Sequence, residues 1–182
     1  MAQLIYIIGA SGVGKDSLMH YARKRLNGSL PLLFAHRYIT RPFTEGSENH
    51  VAVTVEEFRS RKDGGLFALD WESHGLYYGI GIEIEGWMDR GFHVVVNGSR
   101  QYLPIARQRY PELIPIVIEA DPEVIRGRLE NRGREKGEEI EQRIKRQPAL
   151  DIEGLIRISN NGFLEEGGEE LIGVLKRFPV RS

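Results

Sequence analysis

The stretch LIYIIGASGVGKDSL, residues 4–18, decides the fold of this chain. Its first five residues, Leu4–Ile8, are all apolar and precede a glycine, a pattern typical of a β-strand buried on both faces. The spacing G-x-x-x-x-G-K comes next, from Gly9 to Lys15. Apolar residues at helical intervals continue to Leu26, where an Asn-Gly pair predicts the end of the helix.

Strand, glycine-rich loop and helix in this order predict a site for the phosphates of a nucleoside triphosphate. Glycines let the backbone take conformations that a Cβ would block, so the N–H groups of the loop converge on one point. The helix adds the positive end of its dipole, and the lysine adds a full charge. The alternative is a glycine-rich turn followed by an ordinary surface lysine. The predicted ATP-binding residues are Gly9, Ala10, Ser11, Gly12, Val13, Gly14, Lys15, Asp16 and Ser17.

Asp16 stands where this motif usually has the Ser or Thr that binds Mg²⁺, and Ser17 follows it. A carboxylate is a better ligand for this hard cation than a hydroxyl. Asp16 is therefore predicted to hold Mg²⁺, directly or through water, with ATP as the phosphoryl donor. The alternative is an acidic residue in the first helical turn that only favours the dipole.

The composition narrows the class of protein. The chain has 182 residues, 41% of them hydrophobic, and a net charge of −1, which suits one domain with no general attraction to nucleic acid or membranes. Because there is no cysteine, disulfides, thiolate catalysis and cysteine-based zinc sites are excluded. No apolar run approaches the ~18 residues of a membrane span, and no basic segment precedes the first one as in a signal peptide. We expect a cytoplasmic protein that acts on small molecules, as a monomer or a homodimer.

The rest of the chain alternates strand and helix patterns, which predicts a parallel sheet covered by helices on both faces. We therefore expect a three-layer α/β P-loop NTPase fold in a single domain, residues 1–182. Residues 36–88 break this rhythm and are predicted to form a small inserted subdomain, whereas the polar, glycine-punctuated residues 131–138 are predicted to form an arginine-rich lid. Asp121 is expected to cap a helix, and the last helix is expected over residues 164–178.

Three arginines near the predicted lid are candidates for contacts to the transferring phosphoryl group. Arg128 and Arg132 are four residues apart, on one helical face, and Arg143 follows the lid. An arginine that closes over such a group contributes a factor of ~10³ to 10⁵ to the rate. Several glutamates stand nearby in the sequence, so a solvated, salt-bridged helix surface is the alternative.

The chain resembles the guanylate kinase family of P-loop kinases over nearly its whole length. The resemblance rests on GASGVGKDSL, YITRP, ESHGLYYGI, RLENRGREKGEEIEQRIKR and SNNGFLEE. It implies that arginines of the lid contact the phosphates of both substrates and that the inserted subdomain binds the acceptor. The expected catalytic residues are Lys15, Arg128, Arg132 and Arg143.

Several departures from the guanylate kinase pattern speak against guanine as the acceptor base. In the pattern that the resemblance implies, a glutamate reads guanine at the position that Leu69 occupies in this chain. A Ser or Thr reads it at the position of Ile80, and an aspartate stands at the position of Asn97. A methyl surface cannot replace a carboxylate that accepts two N–H bonds, and a site built to hydrogen-bond a base rejects other groups strongly. The resemblance also implies two phosphate-binding residues that this chain lacks. The family's second insert arginine aligns with Thr44, and its phosphate-binding tyrosine aligns near His50.

The cationic and polar residues that remain in the insert suit a compact acceptor that carries phosphate and no base. Asn97 and Arg100 stand at a predicted helix start, which is a further anion site. A lone histidine, by contrast, is more often a packed or surface side chain than a ligand. The resemblance implies Arg41 and Tyr78 as ligands of the acceptor phosphate. The full predicted acceptor-binding set is His36, Arg37, Arg41, His50, His74, Tyr78, Asn97 and Arg100.

The segments HRYITRP, ENH, HGLYYGI, NGSR and GKDSL together resemble a narrower family, the ribose 1,5-bisphosphate phosphokinases of bacterial phosphonate breakdown. This resemblance implies ATP-dependent phosphorylation of the sugar's 1-phosphate, giving 5-phosphoribosyl 1-diphosphate (PRPP) and ADP. The acceptor oxygen is already ionised at neutral pH, so positioning and charge neutralisation suffice without a general base. Three alternatives stay open: a nucleoside monophosphate kinase, a non-catalytic guanylate kinase-like binding module, and a P-loop switch or ATPase that acts through a partner.

Overall fold

The structure is a computed structural model that describes residues 2–10, 12–26, 28–44, 48–133, 137–145 and 151–178, with only the backbone of residues 132 and 143–145. The strands in this part of the chain are β1 Leu4–Ile8, β2 Leu32–Phe34, β3 Arg37–Ile39, β4 Val51–Ala52, β5 Phe67–Ser73, β6 Leu76–Gly81, β7 His93–Asn97, β8 Ile114–Glu119 and β9 Ile156–Ser159. The helices are α1 Lys15–Leu26, α2 Val55–Asp63, α3 Glu83–Asp89, α4 Leu103–Arg109, α5 Pro122–Arg132, α6 Gly137–Lys145 and α7 Leu164–Leu175.

The described chain divides into two compact units. The first contains the residues up to Tyr6 together with Pro31–Ile114, and the second contains Ile7–Leu30 and the residues from Pro115 onward. The boundary between them passes through β1.

The first unit contains parts of two sheets. One has the strand order β2-β7-β1, with β2 and β7 parallel. The other has the order β4-β3-β6-β5, in which β6 is antiparallel to both of its neighbours and β4 is parallel to β3. This second sheet lies within residues 36–88, the predicted insert, whose role as a separate acceptor-binding subdomain stays a prediction. Its hydrophobic cluster consists of Val53, Phe58 and Phe67, with Tyr38 and Tyr77 packed against them.

The second unit contains strands in the order β1-β8-β9, with β8 and β9 parallel and Ile118 opposite Ile158. All five side chains of β1 are buried, as its unbroken apolar run predicted. Helix α1 buries Leu18, Ala22 and Leu26, which are spaced four residues apart on one face. The predicted α/β fold with a parallel sheet is therefore confirmed.

Several local predictions differ from the structure. Arg37–Ile39 forms strand β3 although no strand was predicted there, and helix α3 was also missed. The last helix ends at Leu175, three residues before the predicted end. Asp121 does precede α5 with extended backbone, but its side chain makes no capping hydrogen bond, and its N–H instead donates to Oδ1 of Asn161 at 2.6 Å. Within the described ranges, every helix falls short of the length and apolar character that a membrane crossing requires.

Candidate active site

The predicted phosphate-binding loop connects β1 to α1 in the second unit. Gly12 and Gly14 have φ angles of 88° and 83°, a left-handed conformation that favours glycine. Helix α1 begins at Lys15, so the loop leads directly into the N-terminus of a helix, where anions bind favourably. Ser11, one of the predicted ATP-binding residues, lies outside the described part of the chain.

Two polar side chains hold this loop from other elements of the same unit. The Nη1 of Arg128, on α5, donates to the carbonyl oxygens of Gly12 at 3.3 Å and Val13 at 3.1 Å. The Nδ2 of Asn160, directly after β9, donates to the carbonyl oxygen of Val13 at 2.7 Å. The Nη2 of Arg128 donates to the backbone carbonyl of Asn160 at 2.7 Å, which joins the two side chains into one network.

The network is enclosed. Asn160 is 5% exposed, and burial lowers the pKa of Arg128 because it disfavours the charged guanidinium. A Cβ on Gly14 would stand only 2.6 Å from Nδ2 of Asn160, so this close approach also requires glycine. From its sequence position Arg128 was predicted to act with the lid arginines, and Asn160 was not predicted to belong to the site. Asn160 could have been predicted from its position, because a polar residue directly after a buried parallel strand lies where ligands bind in α/β sheets.

Lys15 is half-buried, whereas Asp16 and Ser17 are exposed in the first turn of α1. Among the described residues, no group of three or more His, Asp or Glu side chains forms a ready-made metal cage. Magnesium in kinases is commonly held by one or two carboxylates together with substrate phosphates and water. The single exposed carboxylate of Asp16, next to Lys15, fits that kind of binding.

The predicted lid is only partly described. Helix α5 ends at Gly133, which has a left-handed φ of 65°, and α6 begins at Gly137. Arg126 on α5 donates through Nε to Oε1 of Glu141 on α6 at 2.7 Å, an exposed pair. The side chains of Arg132 and Arg143 lie outside the described part, so their predicted contacts to phosphate stay predictions.

In the first unit, Arg37 is held by Glu48. Its Nε donates to Oε2 of Glu48 at 2.6 Å, and its Nη2 donates to Oε1. The two side chains are 11% and 14% exposed, so this is a nearly buried, bidentate pair. Glu48, which the sequence analysis did not select, compensates the charge of one predicted acceptor ligand.

Arg37 also begins a stack of aromatic rings. Its guanidinium lies 4.8 Å from the ring centroid of Tyr78, and Tyr78 is parallel to Trp71 with 5.7 Å between centroids. Trp71 in turn stacks on Tyr102 at 5.5 Å. The register of the hairpin explains the central contact, because Trp71 on β5 is directly opposite Tyr78 on β6. Tyr78 thus contacts both a cation and an indole.

The three predicted acceptor histidines lie in different surroundings. His50 is buried, with Nδ1 3.1 Å from the carbonyl oxygen of Glu48 and Nε2 2.8 Å from that of Arg41. One ring is therefore within hydrogen-bonding distance of the backbone of both Glu48 and Arg41. His36 is exposed, and its Nε2 lies 3.1 Å from Nδ2 of Asn49. His74 is exposed in the two-residue turn between β5 and β6, with a positive φ of 52°.

Arg41 and Arg100 differ from Arg37. Both are half-buried, and no hydrogen bond or ion pair from another described residue engages either guanidinium. A half-buried cation in this condition can bind an anion without first giving up an internal partner. These two arginines are therefore better placed than Arg37 to bind an acceptor phosphate.

The turn after β7 is held by Tyr6. The hydroxyl of Tyr6 donates to the carbonyl oxygen of Ser99 at 2.7 Å and accepts from the N–H of the same residue at 2.8 Å. The ring also fills the space that a Cβ on Gly98 would need. Asn97 is buried at the end of β7, and Arg100 follows the turn. Tyr6 was not predicted to support this segment because it lies in the apolar run of β1.

Two of the three positions that the family resemblance assigned to guanine-reading groups are closed. Leu69 on β5 is opposite Ile80 on β6. The two side chains are 1% and 0% exposed, so neither presents a group to a ligand.

Comparison with curated proteins identifies relatives across almost the whole chain. A ribose 1,5-bisphosphate phosphokinase PhnN from Desulfomicrobium baculatum is 53% identical over 96% of this chain and 95% of its own. The protein of the same name from Thiobacillus denitrificans is 51% identical over 95% and 92%, and that from Klebsiella pneumoniae is 46% identical over 99% and 96%. This chain belongs to the ribose 1,5-bisphosphate phosphokinase family. No family model matches the chain.

Solved structures support the fold of this family member. A crystal structure of guanylate kinase from Anaplasma phagocytophilum matches with a TM-score of 0.66 and 18% identity, covering 97% of this chain and 86% of that one. An unliganded sugar kinase from Janibacter matches with a TM-score of 0.52 and 16% identity, covering 97% and 95%. At these identities the likeness concerns the fold alone. The predicted guanylate kinase-like fold of the phosphokinase is thus confirmed.

Proposed function

We propose that this chain transfers the γ-phosphoryl group of ATP to the 1-phosphate of ribose 1,5-bisphosphate, giving PRPP and ADP, as a step in phosphonate degradation. An oxygen of the 1-phosphate attacks the γ-phosphorus, and the bond from that phosphorus to the β–γ bridging oxygen breaks. ADP leaves with the electron pair of that bond. Because the attacking oxygen is already ionised, no side chain has to remove a proton.

The observation that carries this choice of acceptor is the buried pair of Leu69 and Ile80. Both side chains are apolar and closed to ligands. A nucleobase held there would leave its N–H and carbonyl groups without partners, which costs several kcal/mol. A sugar phosphate makes no such demand, and its two phosphates need cations instead.

Arg41 and Arg100 supply the cations for the acceptor in this proposal. Their guanidinium groups are half-buried, and no other described residue engages them. Arginine binds phosphate through two parallel N–H groups, which fixes orientation as well as charge. Tyr78 and Asn97 complete the proposed acceptor set, with Arg37, His36, His50 and His74 as the remaining predicted members.

The phosphate-binding loop and Lys15 hold the donor. The amide groups of the loop and the lysine ammonium neutralise the β- and γ-phosphates. Asp16 is the residue that would hold Mg²⁺, which when bound would neutralise charge on the transferring group. Arg132 and Arg143 are proposed to contact the same group from the lid. We further propose that the protein acts in the cytoplasm; a monomer and a homodimer both suit this function.

The proposal is tested by incubating the chain with ATP, Mg²⁺ and one acceptor at a time, with products identified by mass. Ribose 1,5-bisphosphate should yield ADP and a compound one phosphoryl group heavier than the acceptor. GMP serves as the competing acceptor. Fast turnover of GMP with none of ribose 1,5-bisphosphate would overturn the proposal in favour of a nucleoside monophosphate kinase, and ATP hydrolysis indifferent to any acceptor would favour a switch or ATPase.

Lys15→Ala is the inactive control for this experiment. Loss of the ammonium should reduce turnover by about 10³-fold or more without unfolding the chain, because the half-buried side chain acts on the phosphates of ATP. Comparable turnover in this variant would contradict the role of Lys15 on the phosphates of ATP.

A further inference from the structure

The carbonyl oxygens of Gly12 and Val13 determine how the phosphate-binding loop is oriented. In a trans peptide, the carbonyl oxygen of one residue and the N–H of the next point in opposite directions. The carbonyl of Gly12 therefore fixes the N–H of Val13, and the carbonyl of Val13 fixes the N–H of Gly14. Arg128 and Asn160 donate to these two carbonyls. Whatever anchors them also fixes both amide groups: the N–H of Val13 donates to the carbonyl of Ala10 at 3.4 Å within the loop, and the N–H of Gly14 points away from Arg128 and Asn160.

The guanidinium of Arg128 is already engaged at both ends. Nη1 bonds to the two loop carbonyls, and Nη2 bonds to the carbonyl of Asn160 at 2.7 Å. A phosphate bound in the usual bidentate manner needs two parallel N–H groups of the same guanidinium. A phosphate bound end-on, through Nη1 and Nη2 together, would compete with these bonds, so Arg128 would have to release the loop before it could bind a phosphoryl group in that way.

Asn160 connects the hydrogen-bond network to the parallel sheet. Its side chain is buried, and its own N–H donates to the carbonyl of Glu119 on β8 at 2.7 Å. The anchor of the loop is thus tied to the sheet. Glycines can adopt many backbone conformations when nothing restrains them. Hydrogen bonds from outside the loop therefore supply the preorganisation that a phosphate site needs.

We propose that Arg128, together with Asn160, is a positioning residue that orients the amide of Gly14 toward the phosphates of the nucleotide, and that Arg128 does not itself contact the transferring phosphoryl group. This proposal rests on the proposed function only in that the loop binds a nucleotide. It assigns to Arg128 a role different from that of the lid arginines 132 and 143.

The experiment measures ADP affinity by calorimetry in the absence of any acceptor. Arg128→Met removes the donors but keeps much of the bulk, and Asn160→Asp places an oxygen opposite the carbonyl of Val13. Each should weaken ADP binding by roughly 10- to 100-fold, since hydrogen bonds to backbone groups behind the loop are lost. In the double variant, the loss of ADP affinity should be much smaller than the product of the two single losses, because both residues act on one loop.

Arg25→Met is the matched control, since Arg25 lies on α1 of the same unit with a 60% exposed side chain and bonds only to surface groups. It should bind ADP as the unmodified chain does. If Arg128→Met binds ADP normally and loses turnover by about 10³-fold, Arg128 contacts the transferring group and the proposal is overturned. ADP binding does not involve the acceptor, so failure of the proposed sugar substrate would not affect this result.

A crystal structure of the unmodified chain with ADP provides a test that does not depend on the folding of any variant. The Nη1 of Arg128 should remain on the carbonyls of Gly12 and Val13. A guanidinium bound instead to the β-phosphate would overturn the proposal.

Discussion

Glu48 binds Arg37 through both carboxylate oxygens, with 2.6 Å between Nε and Oε2. Because the side chains are 14% and 11% exposed, removal of either partner leaves a charge that water solvates poorly. This relationship distinguishes Arg37 from the other predicted acceptor arginines, and it gives Glu48 a role in stability.

Glu48→Ala should lower the free energy of unfolding by about 2–4 kcal/mol, since it leaves the Arg37 guanidinium without its partner. Urea denaturation measures the change. Glu57→Gln is the control, because Glu57 and Arg61 form an exposed pair at 3.8 Å on α2. That substitution should change stability by no more than ~0.5 kcal/mol. Equal effects of the two substitutions would contradict the special position of the Arg37 pair.

Arg41→Met should raise the KM for the sugar acceptor by about tenfold or more, while the KM for ATP stays unchanged. The reason is that no other described residue engages the Arg41 guanidinium, which is proposed to bind the acceptor phosphate. Stability should change by less than ~0.5 kcal/mol. Arg59→Met, which removes an exposed arginine of α2, is the matched control. A KM for the acceptor that stays at the unmodified value would remove Arg41 from the proposed site.

The fold was predictable where the signal is local. The five apolar residues of β1, the glycine spacing and the four-residue interval of α1 each specify their element without reference to distant residues. Strand β3 could not be predicted in this way, because Arg37–Ile39 is short and begins with a cation. Its extended conformation depends on pairing with β4 and β6, whose residues are distant in sequence.

The candidate site was predictable in its residue types and less so in its partners. Arg37 and Arg41 were both predicted to bind the acceptor, and they differ in the structure because Glu48 pairs with Arg37. Asn160 could not be connected to the phosphate-binding loop, since 147 positions separate it from Val13. Hydrogen bonds between such distant residues leave no periodic pattern in a sequence, whereas the loop itself does.

Asp16→Asn should raise the Mg²⁺ concentration for half-maximal turnover by about tenfold or more, because the amide is a weaker ligand for a hard cation than the carboxylate. Turnover measured over a Mg²⁺ titration at fixed ATP checks this. Asp89→Asn, which changes an exposed acid at the end of α3, serves as the control. An unchanged titration would leave Asp16 as an acidic residue that only favours the helix dipole.

Tyr6 links the stability of the first unit to pH. Its hydroxyl is hydrogen-bonded to both backbone groups of Ser99, and burial raises its pKa above the usual value near 10 because the phenolate would be poorly solvated. Since the folded-state pKa is the higher one, the neutral phenol contributes stability fully below about pH 10. That contribution is lost as the pH rises, when the unfolded chain releases the proton and the folded chain retains it.

Tyr6→Phe should therefore weaken the alkaline loss of stability, lowering the slope of unfolding free energy against pH by up to ~1.4 kcal/mol per pH unit above pH 10. Below pH 9 the same substitution should cost about 1–2 kcal/mol, because the backbone groups of Ser99 lose their partner. Chemical denaturation at several pH values between 7 and 11 measures both effects on one variant. If the slope above pH 10 equals that of the unmodified chain, another group controls the alkaline transition, with Tyr110 the next candidate because burial raises its pKa to about 12.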